Sequence, residues 1–211
     1  MKKQLPSLLL RIAFLILFVF LIITKRFQLW LIIYIAGVLL APIFGRIYCG
    51  YACPMNTVMR PIQKFSRKRG IQKQKVPTWL ESPKLAYAVL ILSLATMLLG
   101  KRVLGRDIPI LLILFLTSLV VTFFVKSTVW HNGLCPYSVL LRIGGRFARY
   151  SRQVDPSSCE RTQKCIKVCP SGAITMTGID NKAIIDPATC HQCEACSTVC
   201  PHSAISYTKI G

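Results

Sequence analysis

Acidic residues are scarce in this chain, which has 7 Asp and Glu residues against 27 Lys and Arg residues in a total of 211. With so few carboxylates, the chain has few residues that could act as a general base or orient one. The sequence also lacks a recognisable nucleophile motif and a glycine-rich phosphate cradle. These absences argue against catalysis by an activated side chain, and we expect the chemistry to belong to bound cofactors.

Charge of either sign is almost absent from four apolar stretches, at residues 5–23, 27–44, 85–100 and 108–125. Each stretch approaches the ~20 residues that a helix needs to cross the hydrocarbon core of a membrane. We therefore predict a membrane α-helical fold in which four transmembrane helices form two hairpins.

A signal peptide is the competing interpretation of the first stretch, because Lys2 and Lys3 precede it. No small-residue cleavage site follows the apolar run, which continues directly into Thr24, Lys25 and Arg26. We therefore predict that the first stretch is retained as a transmembrane helix.

The formal net charge of +20 is typical of nucleic-acid-binding proteins, but its distribution indicates another origin. Basic residues concentrate between the second and third apolar stretches and after the fourth, whereas the opposite loops hold few. The positive-inside rule then places both termini and the long middle loop in the cytoplasm. We predict the membrane as a partner, and no nucleic acid.

The C-terminal cysteines follow a spacing that iron-sulfur proteins use, C-x2-C-x2-C-x3-C-P, in which the fourth cysteine ligates the other cluster of a pair. The motif consists of Cys190, Cys193, Cys196, Cys200 and Pro201. The same frame occurs 31 residues earlier, with Thr162 in place of one cysteine, as Cys159, Cys165, Cys169 and Pro170. Cytoplasmic thiols stay reduced, which favours metal binding over a disulfide framework.

Exchange of the fourth cysteines predicts two cluster sites in this tail. The four-cysteine site, for a [4Fe-4S] cluster, comprises Cys169, Cys190, Cys193 and Cys196. The three-cysteine site comprises Cys159, Cys165 and Cys200, with Thr162 at its open corner. Three thiolates hold three irons, so we predict a [3Fe-4S] cluster there. The alternatives are a [4Fe-4S] cluster capped by threonine or water, and an empty, degenerate site.

A second internal duplication, with an offset of 82 residues, relates the two halves of the apolar region. Cys49 and Cys53 end the first half in C-x3-C-P, and His131 and Cys135 end the second half in H-x3-C-P. Parallel repeats are related by a pseudo-two-fold axis along the membrane normal, which puts these four residues at one cytoplasmic depth. They would supply three thiolates and an imidazole to a third iron-sulfur cluster at the membrane surface. The alternatives are thiols that only pack in a core and an interfacial histidine.

Each motif is followed by a basic segment that we predict to be an amphipathic helix on the membrane surface. The second of these helices covers residues 137–150, and Pro61 is expected to interrupt or delay the first. Residues 70–83 have the composition of a cytoplasmic linker.

The tail contains β-prone segments at residues 174–177 and 183–185, which indicate a small α+β unit. A unit of this size buries little core, so its folding is coupled to cluster binding. The predicted domains are a four-span membrane domain at residues 1–154 and a cytoplasmic two-cluster ferredoxin-like domain at residues 155–211.

With these motifs assembled, the chain resembles the NapH-like membrane ferredoxins, which are polyferredoxin-type membrane subunits of quinol dehydrogenases. The resemblance rests on the four spans, C-G-Y-A-C-P at residues 49–54, C-P at residues 135–136 and the two-cluster tail. The sequence departs from the family pattern at His131 and Thr162, where family members typically have cysteine. The resemblance implies a protein of a prokaryotic inner membrane that passes electrons between the quinone pool, or a cytoplasmic donor, and a redox partner protein.

Two other functions are compatible with the same resemblance. One is assembly or maturation of a respiratory metalloenzyme, and the other is redox sensing without turnover. Electron relay is favoured because a two-cluster unit follows a membrane-surface motif along the chain, which suggests a path between the cytoplasm and the bilayer.

We expect His131→Ala to remove or shift the spectroscopic signature of one cluster, because mixed histidine and cysteine ligation raises a cluster's potential. The measurement is the iron content and the electron paramagnetic resonance (EPR) spectrum of anaerobically purified protein. Unchanged iron content and spectra would show that His131 is not a ligand.

Overall fold

The computed structural model describes residues 5–73, 75–103, 105, 109–177 and 181–210. The helices are α1 (Leu5–Ile23), α2 (Trp30–Phe44), α3 (Pro54–Lys68), α4 (Pro83–Val103), α5 (Ile110–Phe124), α6 (Ser127–Val129), α7 (Tyr137–Arg146), α8 (Lys164–Val168) and α9 (Ala195–Val199). The strands are β1 (Tyr150–Val154), β2 (Ile174–Thr177), β3 (Lys182–Ile185) and β4 (Ile205–Lys209). Lys2, Lys3 and Ile108, the first residue of the predicted fourth span, lie outside the described residues.

The four predicted spans coincide with the apolar helices α1, α2, α4 and α5. Within the described ranges, α1 and α4 are long and apolar enough to cross a membrane, with mean hydropathies of 2.7 and 1.7. Only 17% and 11% of those stretches are buried, which is unlike the core helix of a globular domain. Helices α2 and α5 are apolar but have 15 residues each, so crossing by all four stays a prediction.

Polar side chains within the apolar helices bond to their own backbone. Ser93 Oγ donates to the carbonyl oxygen of Val89 at 2.7 Å, and Thr117 Oγ1 donates to that of Ile113 at 2.8 Å. Each hydroxyl group thereby satisfies its donor inside the helix, which suits a helix surrounded by lipid.

The chain folds into two compact units, Met1–Pro54 with Leu140–Gly211, and Met55–Val139. In the first unit, Trp30 lies edge-on to Phe18 with ring centroids 5.1 Å apart, and its Nε1 donates to Tyr48 Oη at 2.8 Å. These aromatic contacts tie α1 and α2 to the segment that follows α2. The predicted domain boundary at residue 154, between a four-span membrane domain and a two-cluster tail, stays a prediction.

The C-terminal part of the first unit is a small α+β fold made of two antiparallel strand pairs. β1 pairs with β4, and β2 pairs with β3. The predicted β-prone segments at residues 174–177 and 183–185 are found as β2 and β3. Two thiols belong to the core, whose buried members are Ala173, Ile174, Ala183, Ile185, Cys190, Cys196 and Ile205.

The β1–β4 pair is anchored to the end of α2. The ring of Tyr150 stacks on Phe44 with centroids 6.1 Å apart. The backbone N–H of Arg149 donates to the carbonyl oxygen of Pro42, and Tyr207 Oη donates to that of Phe44, both at 3.1 Å. The cysteine-rich tail is therefore attached directly to the end of an apolar helix.

The predicted amphipathic helix over residues 137–150 is wrong in its last part, because α7 ends at Arg146. Gly144 weakens the helix, and a Cβ at this position would lie 2.8 Å from Ala41 Cβ. Tyr150 belongs to β1, where pairing with β4 satisfies its backbone. Close packing against α2 and strand pairing thus override the helical periodicity.

The predicted interruption at Pro61 is also wrong, because α3 continues through it. A proline inside a helix removes one backbone hydrogen bond and crowds the preceding turn. Met55 and Met59 before it are 2% and 1% exposed, and after it the Ser66 hydroxyl donates to the carbonyl oxygen of Phe123. Packing on both sides of the proline holds the helix together.

The predicted linker after α3 is packed where it begins, which corrects that part of the prediction. Gln72 is buried, and its Nε2 donates to the carbonyl oxygens of Thr122 at 2.8 Å and Val125 at 3.0 Å. The backbone N–H of Lys73 donates to the carbonyl oxygen of Phe124 at 2.8 Å. These bonds satisfy carbonyl groups at the end of α5 that have no hydrogen-bond donor within the helix.

Gly133→Ala tests the packing of the second unit, because a Cβ at this position would overlap the carbonyl oxygen of Leu80. We expect the variant to lose about 3 kcal/mol of unfolding free energy, since backbone must move. Gly70 is the control, with φ +70° and open space around it, so Gly70→Ala costs only about 1 kcal/mol of backbone strain. The measurement is denaturant unfolding in detergent followed by circular dichroism. Equal losses would contradict the Leu80 constraint.

Candidate iron-sulfur sites

The structure gathers the predicted three-cysteine site around one cavity. Cys159, Cys165 and Cys200 line it together with Thr162, and its empty volume is about 380 Å³. Thr162 therefore stands at the wall of this cavity, where the sequence repeat places the position of a fourth ligand.

A histidine and a carboxylate lie at the edge of the same cavity. His202 Nε2 is 2.8 Å from Glu160 Oε2. The Glu160 side chain is 65% exposed, so this pair contributes little to stability. It nevertheless joins the two cysteine loops, because Glu160 follows Cys159 and His202 comes shortly after Cys200.

A second cavity brings together the predicted four-cysteine site. Cys169, Cys190, Cys193 and Cys196 line it, and its empty volume is about 280 Å³. The last three of these are buried, and Cys169 is half-buried. The three-cysteine cavity thus includes Cys200 of the second motif, and the four-cysteine cavity includes Cys169 of the first motif. The ligand roles of these residues stay a prediction.

Left-handed residues shape both cysteine loops and repeat 31 positions apart. Arg161 and Gln192 each have φ +56°, and Gln163 and Glu194, with φ +56° and +66°, precede α8 and α9. Residues other than glycine rarely adopt this conformation, and it concentrates at ligand sites. The repeated left-handed conformation gives the two loops the same backbone shape at these positions.

Burial controls the protonation of these thiols. Desolvation raises the pKa of Cys196 to about 12 and also raises the pKa of Cys190, and the neighbouring thiols of the same cavity raise both. Burial likewise raises the pKa of Cys165. Because cysteine binds metal as thiolate, cluster binding must release these protons and becomes weaker as the pH falls.

The two cavities fit an iron-sulfur cluster better than a lone ion. Within the described part of the chain, no group of three or more Cys, His, Asp or Glu side chains is tight enough to hold a single metal ion. A cluster holds its ligand sulfurs further apart, because irons and sulfides lie between them. Three or four thiol donors that line one cavity suit that larger group.

The C-x3-C-P and H-x3-C-P motifs form the same uncommon local structure. The π-helical turn Tyr48–Ala52 is closed by a bond from the N–H of Cys53 to the carbonyl oxygen of Tyr48 at 2.8 Å. The π-helical turn Trp130–Leu134 is closed in the same way, from Cys135 to Trp130, at 2.8 Å. Such turns are rare and often mark functional sites.

The structure places the histidine and cysteines of these motifs in or beside the two turns. Cys49 and His131 are 8% and 4% exposed, Cys135 is buried, and Cys53 is half-buried. Cys49 and Cys53 belong to the first compact unit, and His131 and Cys135 belong to the second. Their ligand roles stay a prediction.

The first of these turns packs against the loop of the four-cysteine site. A Cβ at Gly50 would overlap the carbonyl oxygen of His191. Arg11 of α1 donates to the carbonyl oxygens of Gly50 and Cys193, and Arg46 bonds to the same loop. Sequence reasoning singled out neither arginine as a neighbour of the cysteine loop. Arg11 did carry a signal, since a charge within an apolar span is usually functional.

Two protein-family models match the chain. The model of a 4Fe-4S binding domain matches residues 26–72 and again residues 108–152, so its two matches begin 82 residues apart, as the internal duplication does. The model of a 4Fe-4S dicluster domain matches residues 158–204. The chain therefore contains iron-sulfur-binding domains in its apolar half and in its tail.

Three curated relatives show the extent of the similarity. An uncharacterized protein of Methanocaldococcus jannaschii is 31% identical over 154 residues, which cover 71% of this chain and 61% of the relative. The methylamine utilization ferredoxin-type protein MauN of Paracoccus denitrificans is 27% identical over 64% of this chain and 54% of its own length. The ferredoxin-type protein NapH of Haemophilus influenzae is 27% identical over 65% of this chain and 52% of its own length.

This chain thus spans between about half and three fifths of the length of these curated relatives. No solved structure matches the chain.

We expect Thr162→Cys to complete the thiolate set of the three-cysteine site, because Thr162 lines that cavity. The iron content of the variant should rise, and a three-iron EPR signal present in the oxidised parent protein should be absent from the variant. Thr198→Cys, which adds a thiol at an exposed position of α9, is the control and should change neither. A parent protein without a three-iron signal would contradict the [3Fe-4S] assignment.

Proposed function

Because the chain belongs to the NapH-like family of 4Fe-4S ferredoxin-type proteins, we propose that it relays electrons between the membrane quinone pool, or a cytoplasmic donor, and a redox partner protein. The observation that carries the proposal is the packing of the four-cysteine loop against the π-helical turn after α2. A cluster site that contacts an apolar helical hairpin is well placed for transfer between the cytoplasm and the bilayer.

In this proposal the two cavities of the tail are the cluster sites. A [4Fe-4S] cluster is held by Cys169, Cys190, Cys193 and Cys196. A [3Fe-4S] or [4Fe-4S] cluster is held by Cys159, Cys165 and Cys200, with Thr162 at the open corner. Bound clusters supply one-electron transfer, which no side chain of the protein can supply.

The protein's own residues set the conditions for that chemistry. Cys190, Cys193 and Cys196 are buried, which limits the contact of these thiols with water. Arg152 lines the same cavity and forms an ion pair with Glu194 at 2.9 Å. Its charge favours the thiolate of Cys196, opposing the larger effect of burial, which raises the pKa of that thiol. The arginine thus helps this site to hold a negatively charged group.

The exposed apolar surface supports a membrane location. The side chains of Ile16, Leu39, Ile91 and Val120, one from each apolar helix, are 64%, 72%, 68% and 58% exposed. On each helix these belong to a larger set of exposed apolar side chains, and soluble monomers rarely expose large apolar patches to water. We place α1, α2, α4 and α5 across the bilayer, with both termini and the cysteine-rich tail on the cytoplasmic side.

The shorter helices require an adjustment at the membrane. The 15 residues of α2 and of α5 extend about 22 Å at 1.5 Å per residue, against a hydrocarbon core of about 30 Å. Local thinning of the bilayer covers a difference of this size at modest cost. The 3₁₀ turn Phe27–Leu29 also lengthens the apolar segment before α2.

Oxidation by quinone tests the relay. Protein that has been reduced anaerobically and freed of reductant is placed in vesicles, and we expect a quinone analogue to restore the visible absorbance of its clusters. We expect Cys53→Ser to slow this recovery while the tail keeps its iron, because Cys53 lies at the end of the turn against which the four-cysteine loop packs.

Two outcomes would separate the relay from the alternatives. Negligible oxidation of the parent protein by quinone, at normal iron content, would contradict the relay. A deletion strain that still oxidises quinol but contains one immature respiratory enzyme would indicate an assembly role instead.

A further inference from the structure

Arg11 connects the two segments that the proposed electron path must join. It lies within the apolar helix α1, and its side chain is 9% exposed. Its Nε donates to the carbonyl oxygen of Gly50 at 2.9 Å, and its Nη2 donates to that of Cys193 at 2.8 Å. One guanidinium group therefore bonds to the middle of the C-x3-C-P turn and to a cysteine of the four-cysteine site.

Arg46 makes a second connection between the same two segments. It is fully buried, and its Nη1 lies 3.5 Å from the carbonyl oxygens of Ala188 and Thr189, just before the cysteine loop. Its Nη2 lies 3.6 Å from Cys49 Sγ. Arg46 thus reaches the cysteine loop on one side and a thiol of the membrane motif on the other.

The two backbones touch between these arginines. A Cβ at Gly50 would overlap the carbonyl oxygen of His191 and lie 3.4 Å from the Cα of Cys193. Gly145 shows the same close approach, since a Cβ there would lie 3.2 Å from Arg46 Cγ and from the carbonyl oxygen of Pro187. The turn therefore contacts the loop directly at Gly50, and α7 packs at Gly145 against the segment that leads into the loop.

Two arginine side chains are buried beside the cysteine loop. Arg11 donates to carbonyl oxygens and lies over the ring of Tyr51, 5.2 Å from its centroid, and Arg46 reaches carbonyl oxygens and a thiol sulfur. An iron-sulfur cluster on four thiolates carries net negative charge, and a buried cation close to it stabilises that charge, most strongly after reduction.

We propose that Arg11 and Arg46 are positioning residues that seat the four-cysteine loop on the C-x3-C-P turn, and that their charges raise the reduction potential of the cluster held at the four-cysteine site. This inference rests on the proposed electron-transfer function and identifies where electrons pass between the tail and the membrane motif. Electron transfer slows steeply with distance, so a fixed contact between the segments sets its rate. Net charge and hydrogen bonding near the sulfurs set the potential.

The two roles of Arg11 are separable by substitution. Arg11→Gln removes the charge, whereas Arg11→Lys keeps the charge but loses the planar fork that reaches two carbonyl groups at once. Arg26, an exposed arginine just after α1, is the matched control. The parallel variant Arg46→Gln tests the second arginine.

The experiment is an EPR-monitored redox titration of each anaerobically purified variant, together with its rate of oxidation by a quinone analogue. We expect Arg11→Gln and Arg46→Gln to lower the potential of one [4Fe-4S] signal and to slow oxidation about 10- to 100-fold, as loss of outer ligand contacts does. Arg11→Lys should keep the potential and slow oxidation. Arg26→Gln should change neither.

Each outcome decides the inference. Parent-like potentials in Arg11→Gln and Arg46→Gln would overturn it, and so would a shift of the same size in Arg26→Gln. If Arg11→Gln loses its iron, Arg11→Lys decides, because slowed oxidation at an unchanged potential supports the seating role and an unchanged rate overturns it. A parent protein that quinone does not oxidise contradicts the proposed function instead, while the potential shifts still test the charges of Arg11 and Arg46.

Discussion

The structure of the first unit depends on one close approach of two backbones. The carbonyl oxygen of His191 occupies the space that a side chain at position 50 would need, so only glycine permits the contact. Because the cysteine loop lies this close to the turn, Arg11 can bond to both segments, and Arg46 can reach the loop while it contacts Cys49. The four-cysteine site is therefore part of the same packed region as the C-x3-C-P turn.

The two cysteine sites lie in different surroundings, although they arise from one repeated motif. The thiols of Cys190, Cys193 and Cys196 are buried, and Arg152 lines their cavity. The three-cysteine site has half-buried thiols and Thr162 in its wall. Burial and nearby charge are two of the properties that set cluster potentials. The duplication thus provides two sites with one backbone shape, and the surrounding residues make them unlike.

Much of the local structure could be predicted from the sequence, because short-range patterns determine it. Hydrophobic run length located the apolar helices, β-branched residues located β2 and β3, and the cysteine spacing grouped the thiols into the sets that line the two cavities. The end of α7 at Arg146 and the strands β1 and β4 were missed, because they depend on pairing between residues far apart in sequence. The continuation of α3 through Pro61 depends on packing that a local rule does not include.

The sequence by itself determined which residues are candidate ligands of iron, since the thiols, their spacing, and the presence of Thr162 and His131 at two repeat positions of cysteine are covalent facts of the chain. Only the tertiary structure decided which residues surround the sulfurs. Arg11 and Cys193 are 182 positions apart, and no periodicity links them, yet their hydrogen bond is 2.8 Å long. Contacts of this kind arise from the packing of whole elements, because helix α1, the π-helical turn and the cysteine loop must all be in place before the guanidinium group can meet its acceptors.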